Sequence, residues 1–392
     1  MRIISLVVGL GLMGYGDLVL GQENEEFDQF ETEQRQVFEA FDREEELRFS
    51  QYIKAEQAAF ERFKEEVEQL WGTYDRASKK EWVEYDEGLH ARSHVDFESG
   101  VVTVEVLVED GEKSAEIPLA KAIANAVTTP GSSADYSVPL RDGTTEQPIS
   151  LGLRPVLEGQ ITTPTGTPVT QDNAAKFAEE IIATNRTKKK PITGKDGRHR
   201  TKATVTFQLV PDHLRRRAEA YLPIVRKHAR RFSLDVPLVF AVIHTESFFN
   251  PQARSSAPAF GLMQLVPTSG GRAAYEFVYK KDRILPQSYF YVPDQNIELG
   301  CAYLSLVGQT YFAKVKNKAS ARYCVIASYN TGAGNVSRAF TGRTNVREAI
   351  PLIDRMSPEK LYQHLQKNLP YKETQKYVKL VSERIPLYEE WR

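Results

Sequence analysis

The sequence predicts an α+β N-terminal domain followed by an all-α domain, and three observations carry that prediction. In VVTVEVLVEDG, Val102, Val104, Val106 and Val108 alternate with Thr103, Glu105, Leu107 and Glu109, a period of two that marks a strand. Between Val127 and Thr170 the chain is rich in Thr, Pro, Gly and Ser, and PGSS and TTPTGTP read as loops. From Pro211 onward, apolar residues recur at helical spacing nearly to the C-terminus.

Four segments follow in order. Residues 1–21 hold one Arg, an apolar run from Ile3 to Met13 and small residues ending at Gly21, which is the pattern of a secretory signal. Asp17 interrupts the stretch and favours a cleaved leader, with an uncleaved anchor as the alternative. No cysteine near this end offers a lipid acceptor. Residues 22–80 are read as an amphipathic helical segment. Phe60, Phe63, Val67 and Leu70 share a helical face, and Phe38 and Phe41 form a similar pair. That stripe is expected to pack on the next domain, with membrane or coiled-coil contact as the alternative.

Residues 81–205 read as a small α+β domain with long loops. Ser99-Gly100 supplies a hairpin turn, Asn173–Thr184 a helix and Ala203–Val210 another strand. Leu107 is the one apolar residue on the otherwise polar face of its strand. The basic run Arg186–Lys202 reads either as a solvated loop or as a patch that attracts an acidic polymer or membrane surface.

Residues 206–392 read as helices throughout. Leu214, Ala218, Tyr221, Leu222, Val225, Ala229 and Phe232 line one face of the first, which Pro223 is expected to kink or divide. A second opens at Asp235, a candidate N-cap, and runs to about Phe249 before Pro251 stops it. Further helices are expected near Asn296–Thr310, Ala319–Tyr329 and Thr374–Ile385.

Composition bounds the chemistry. With 392 residues there is room for two domains, and a net charge of -1 excludes a globally basic nucleic-acid binder. Cys301 and Cys324 are the only cysteines, and they either pair or stay as buried thiols. No Cys/His cluster asks for a metal, and nothing asks for an organic cofactor.

One carboxylate stands out. Glu246 follows Ile243, Val242 and Val239 by three, four and seven residues, so it shares their face near a helix end. A carboxyl group against apolar walls is hard to ionise, and a raised pKa suits a general acid near neutral pH. The bland alternative is a Glu that reaches solvent or pairs with Arg254. FGLMQ contributes Met263 and Gln264, and ASYNTGAGNV contributes Tyr329 and Asn330 at the end of a helix.

Together and in this order, Glu246-Ser247, Asn250-Pro251, Ser255, Gly261–Gln264, Tyr329-Asn330 and Glu373–Val378 resemble the soluble lytic transglycosylase domain, over about Pro211 to Ile385. The upstream WVEYDEGLHARSHVDFESGVVTVEVL resembles the N-terminal domain of membrane-bound lytic murein transglycosylase C. The resemblance implies a goose-lysozyme-like all-α catalytic domain acting on peptidoglycan glycan strands. It implies cleavage between N-acetylmuramic acid and N-acetylglucosamine, with Glu246 as lone acid and base and a 1,6-anhydro product. The substrate's acetamido group would stand in for the second carboxylate that ordinary glycosidases need.

By the same resemblance, Ser255 positions the catalytic carboxyl or an acetamido group, Gln264, Tyr329 and Asn330 hold the sugar, and Met263 walls the cleft. Glu373 and Tyr377 close the far side. Capping or packing remains open for Ser255 and Tyr377, while Ser247 and Asn250 are expected to end the helix and shape its turn. The resemblance places the protein in the periplasm, with the outer membrane in doubt because the lipid-accepting cysteine is missing. Thr331 stands where Ala or Gly is common in that family. A hydrolase that uses water, and a non-catalytic glycan-binding or scaffold protein that keeps the fold, are the rival readings; beside the glycan strands, membrane-surface or cell-wall protein contacts are the further partners expected.

Overall fold

The computed structural model describes residues 44, 47–109, 114–132, 137–139, 144–147, 150–255 and 259–392. The chain divides into two units, Met1–Gln51 and Tyr52–Arg392. Of the first, the described residues are helical. The expected leader at 1–21 and the Phe38–Phe41 pair lie outside the described residues.

The second unit begins with a helix, α1 (residues 52–71). An antiparallel sheet follows from β1 (Glu81–Tyr85), β2 (Ala91–Asp96) and β3 (Val101–Glu109). Then come α2 (Glu116–Thr128), the short strands β4 (Pro130–Ser132), β5 (Val138–Pro139) and β6 (Thr145–Glu146), and β7 (Ser150–Pro155). Helix α3 (Ala174–Thr184) and strands β8 (Lys188–Thr193) and β9 (His199–Gln208) complete this part. The main sheet has the order β1-β2-β3-β9-β8, with β4 paired to β7 and β5 to β6. Val104 faces Val205 and Val106 faces Ala203 across β3 and β9.

Alternation sorts the two faces of this sheet. Val102, Val104, Val106 and Val108 enter a core closed by Leu119 and Ile123 of α2 and Phe177 and Ala178 of α3. The opposite face is not left to solvent. Leu107, Val83 and Tyr85 pack there against Phe63, Val67 and Trp71 of α1. Leu107 is therefore a contact residue, and the neighbouring Glu105 is buried too, paired at 2.5 Å with Arg92. Strand spacing alone labels that face polar; α1 covers it.

The basic run is not the loop that its composition suggests. It folds as the β8–β9 hairpin, in which Lys188, Lys189 and Lys190 lie exposed on an edge strand. Charged edge strands resist pairing with other chains. Arg200 within the run is buried, bonded to Asp196 and Glu109.

The remaining chain is helical, as its spacing predicts. Helix α4 (His213–Arg231) continues through Pro223 and is not divided there. Helix α5 (Val236–Ser247) is followed by a π-helical turn, then α6 (Arg272–Tyr279), α7 (Gln287–Tyr291), α8 (Pro293–Val307) and a second π-helical turn. Helices α9 (Lys318–Thr331), α10 (Ala333–Thr341), α11 (Val346–Ile353), α12 (Pro358–Asn368) and α13 (Lys372–Arg384) follow, and a 3-10 turn closes the chain. These helices share one core, in which Cys301 and Cys324 are buried as free thiols. Burial pushes the Cys324 thiol up to about 12. Among the described residues no helix is long and apolar enough to cross a membrane.

Candidate active site

Helix α5 is apolar almost all round, which suits a helix enclosed by others. It packs among α4, α13 and the final 3-10 turn. Asp235 sits at its N-cap position, but its carboxylate makes no cap; it pairs with Arg392 at 3.1 Å. The helix ends at Ser247, two residues before the expected end. Phe248 and Phe249 both adopt left-handed conformations, with φ of 50° and 60°. Two such non-glycine residues in succession cost energy and persist only where their surroundings hold them.

Arg217 of α4 does the holding. Its Nε donates to the Phe248 carbonyl at 3.2 Å and its Nη2 to the Phe249 carbonyl at 2.6 Å. The guanidinium lies 3.4 Å from the centroid of the Phe97 ring, and its third nitrogen bonds Gln160 at 3.3 Å. Burial pushes the Arg217 pKa down to about 10. On the other side of the helix end, Ser247 donates its hydroxyl to the carbonyls of Ile243 and Leu262.

This frame presents Glu246, of which 4% is exposed. Burial pushes its carboxyl group above the ordinary range. The Lys79 ammonium and the Tyr377 hydroxyl oppose that shift, and Glu373 adds to it. Arg254 is not its partner, because that guanidinium forks onto Glu56 of α1. The partner is Lys79, whose Nζ lies 3.4 Å from Glu246 Oε2. His244, two residues earlier, bonds the Tyr388 hydroxyl at 2.8 Å. Burial and the Arg384 charge push it down to about 3, so it stays neutral near pH 7.

The other expected residues fall as follows. Tyr377 of α13 directs its buried hydroxyl toward the Glu246 carboxyl but short of hydrogen-bond geometry. Glu373, in the first turn of α13, is exposed and close enough to act on Glu246 electrostatically. Tyr329 is buried near the same carboxyl and donates its hydroxyl to the Met263 carbonyl at 2.8 Å. Asn330 accepts from the Thr374 hydroxyl at 2.7 Å, which links α9 to α13. Gln264 has a left-handed backbone, donates its amide to the carbonyls of Ala253 and Gly261, and keeps a buried side-chain oxygen without a partner. Met263 is fully buried, its sulfur packed where Gly300 leaves no Cβ. Ser255 is half-buried in the turn opposite Ala259 and accepts from that residue's N–H at 3.4 Å.

Asn296, Gly261 and Lys79, to which the sequence assigns no site role, also shape this region. Asn296 donates to the carbonyls of Phe260 and Phe290 and accepts from the Met263 N–H, which fixes the segment carrying Gln264. Gly261 lies beneath it with φ of 75°, where a Cβ would come within 2.1 Å of the Phe290 carbonyl oxygen. Lys79 arrives from the turn before β1, and spacing around Glu246 carries no signal for it. Among the described residues no cluster of His, Cys, Asp and Glu is arranged to hold a metal.

Comparison with known proteins gives this arrangement its setting. The Transglycosylase SLT domain family matches residues 223–350. The family described as "Membrane-bound lytic murein transglycosylase C, N-terminal domain" matches residues 43–220. Membrane-bound lytic murein transglycosylase C of Yersinia pestis (strain Pestoides F) is 36% identical over 306 residues, covering 76% of this chain and 79% of the relative. The protein of the same name from Yersinia pseudotuberculosis serotype O:1b (strain IP 31758) matches to the same extent.

The chain belongs to the membrane-bound lytic murein transglycosylase C family.

It is accordingly a lytic murein transglycosylase with peptidoglycan as substrate. Among solved structures, an inactive mutant of the lytic transglycosylase Slt from Pseudomonas aeruginosa is 26% identical, with a TM-score of 0.34. That match covers 43% of this chain and 24% of the other, so this chain spans about a quarter of the solved protein's length. Within the family's two parts, Lys79 belongs to the N-terminal match and Glu246 to the SLT match.

Proposed function

We propose that this lytic transglycosylase cleaves the β-1,4 bond between N-acetylmuramic acid and N-acetylglucosamine with Glu246 as its single acid and base. The observation that carries the proposal is the burial of that carboxyl group at the end of an apolar helix, which raises its pKa above the ordinary carboxylate range, as a general acid requires. Glu246 donates its proton to the glycosidic oxygen as the muramyl C1–O bond breaks, and the N-acetylglucosamine hydroxyl leaves. The muramyl acetamido oxygen bonds C1 and carries the developing positive charge. The Glu246 carboxylate then takes the proton from the muramyl O6 hydroxyl as O6 attacks C1 and displaces the acetamido oxygen. The product is a 1,6-anhydro-muramyl end, and the reaction is that of a carbon–oxygen lyase.

In this reading Tyr377 and Glu373 border the carboxyl on the α13 side. Tyr329 and Asn330 orient the sugar beside the scissile bond, and the unpartnered Gln264 oxygen accepts from a sugar amide or hydroxyl. Ser255 and Met263 shape the turn and wall that hold these groups. Residues 1–21 act as an export leader, and the protein works in the periplasm on the glycan strands of the wall.

Digestion of purified sacculi, followed by mass spectrometry of the soluble muropeptides, tests the reaction. Products that end in 1,6-anhydro-muramic acid are expected. Reducing ends, heavier by one water, would replace this mechanism with hydrolysis. Glu246→Gln is expected to bind sacculi and release nothing; clearance at the parent's rate would remove Glu246 from the chemistry.

A further inference from the structure

Among the described residues Glu246 has one ion-pair partner, and that partner comes from the other half of the family's architecture. The turn that carries Lys79 is built to stay in place. The Ser78 hydroxyl donates to the Glu81 carboxylate at 2.8 Å and accepts from the N–H groups of Lys80 and Glu81. Asn250, three residues beyond Ser247, donates its side-chain amide to the carbonyls of Ser78 and Glu81 at 3.2 and 3.3 Å. Lys80 pairs with Glu98 at 2.5 Å and lies 4.9 Å over the Phe248 ring. The Asn-Pro turn that follows Glu246 therefore grips the segment that brings the ammonium to it.

Resting on the reading of Glu246 as acid and base, we propose that Lys79 is a positioning residue of this reaction: it holds the Glu246 carboxyl in place and stabilises the carboxylate left after proton donation. Among the described residues the groups facing Glu246 are few. Tyr377 and Glu373 approach from α13 and Tyr329 from α9. Lys79 is the cation among them, and it is one-third exposed while its partner is buried. A cation at this distance favours the ionised carboxyl and opposes the effect of burial. That opposition matters in a cycle that needs both forms. A carboxyl too hard to ionise donates poorly, and one too easily ionised is not protonated when the glycan arrives. The N-terminal part of the chain thereby contributes to the chemistry.

The test is the pH dependence of kcat/KM for muropeptide release by full-length Lys79→Met, Lys79→Gln and Lys79→Arg, with melting temperatures measured alongside. Activity falls on the alkaline side as the acid loses its proton. Removing the cation should move that limb up by about one pH unit and lower kcat at the optimum roughly tenfold, with Lys79→Arg returning both toward the parent. Gln, similar in length and polar, supplies the same reading should Met prove unstable. An alkaline limb in Met and Gln that superimposes on the parent's would overturn the proposal. Glu246→Gln separates the two inferences. If it is inactive and the Lys79 limb does not move, Lys79 alone has been misassigned. If it remains active, the reading of Glu246 has failed.

Discussion

Arg217→Met is expected to separate activity from stability. The parent side chain donates two charged hydrogen bonds to the carbonyls of Phe248 and Phe249. At about 1.5–3 kcal/mol each, their loss costs about 3–6 kcal/mol. Against this, the guanidinium is held in a site whose burial lowers its pKa to about 10. Removing a charge so placed returns about 3 kcal/mol, the cost of burial that the lowered pKa expresses. The net loss is then about 0–3 kcal/mol, and a domain of this size should melt within roughly 6 °C of the parent. The local consequence is larger. The left-handed pair stores about 1–3 kcal/mol per residue, and without Arg217 the turn relaxes toward extended backbone. Glu246 lies two residues away, and a displacement of about 1 Å in a reacting group costs on the order of a hundredfold in rate. Release of muropeptides from sacculi, assayed beside differential scanning fluorimetry, reads both quantities. Parent-like turnover in a folded Arg217→Met protein would refute the idea that this clamp positions Glu246. Arg217→Lys keeps the charge but loses the fork and should fall between the two.

Other substitutions follow from the same geometry. Glu246→Gln should be more stable than the parent at neutral pH, because the folded state raises this carboxyl's pKa by burial. The parent's stability from this group is fully present below the unfolded pKa and is lost as pH rises through the folded value. The melting-temperature difference should therefore widen from about pH 4 upward, and a constant difference would contradict the burial argument. Gly261→Ala should cost more than about 3 kcal/mol, since the new Cβ meets the Phe290 carbonyl oxygen and φ is positive. A soluble variant with the parent's melting temperature would show that this turn can relax. Cys301 and Cys324 should resist a thiol reagent in the folded protein and react at two equivalents in denaturant. Protection that disappears on reduction without unfolding would point instead to a bond between them.

The elements most legible in the sequence are those whose partners are near or interchangeable. Val102 to Val108 need only an apolar face, so period two is enough to read β3 and its buried side. Glu246 is read in the same way, because Ile243, Val242 and Val239 set its direction within two turns. What spacing cannot carry is the identity of a distant partner. Leu107 looks exposed until α1 lies over it, and Arg254 looks available to Glu246 until Glu56, 198 residues earlier, takes it. Lys79 is 167 residues from the carboxylate it meets. The end of α5 is hidden from the sequence for a related reason. Pro251 is an evident stop, but nothing local demands that Phe248 and Phe249 turn left-handed. That conformation is imposed by Arg217, which the apolar spacing of α4 does not single out. The roles given to Ser255, Asn330 and Glu373 came from resemblance, since no spacing argument singles them out.

The pair at the end of α5 has a further consequence. Phe248 and Phe249 are adjacent in sequence, yet Phe248 enters the apolar cluster of the sheet while Phe249 enters that of the helices. One peptide group thus acts as a rivet through two layers. Sliding of either layer against the other pulls on a linkage two residues from Glu246. A strand-side substitution that repacks Phe97 or Phe248 would be felt as a change in catalytic alignment, although it touches no sugar. Chimaeras that exchange the sheet between relatives should therefore be judged first by turnover, since they can fold well and still be mistuned.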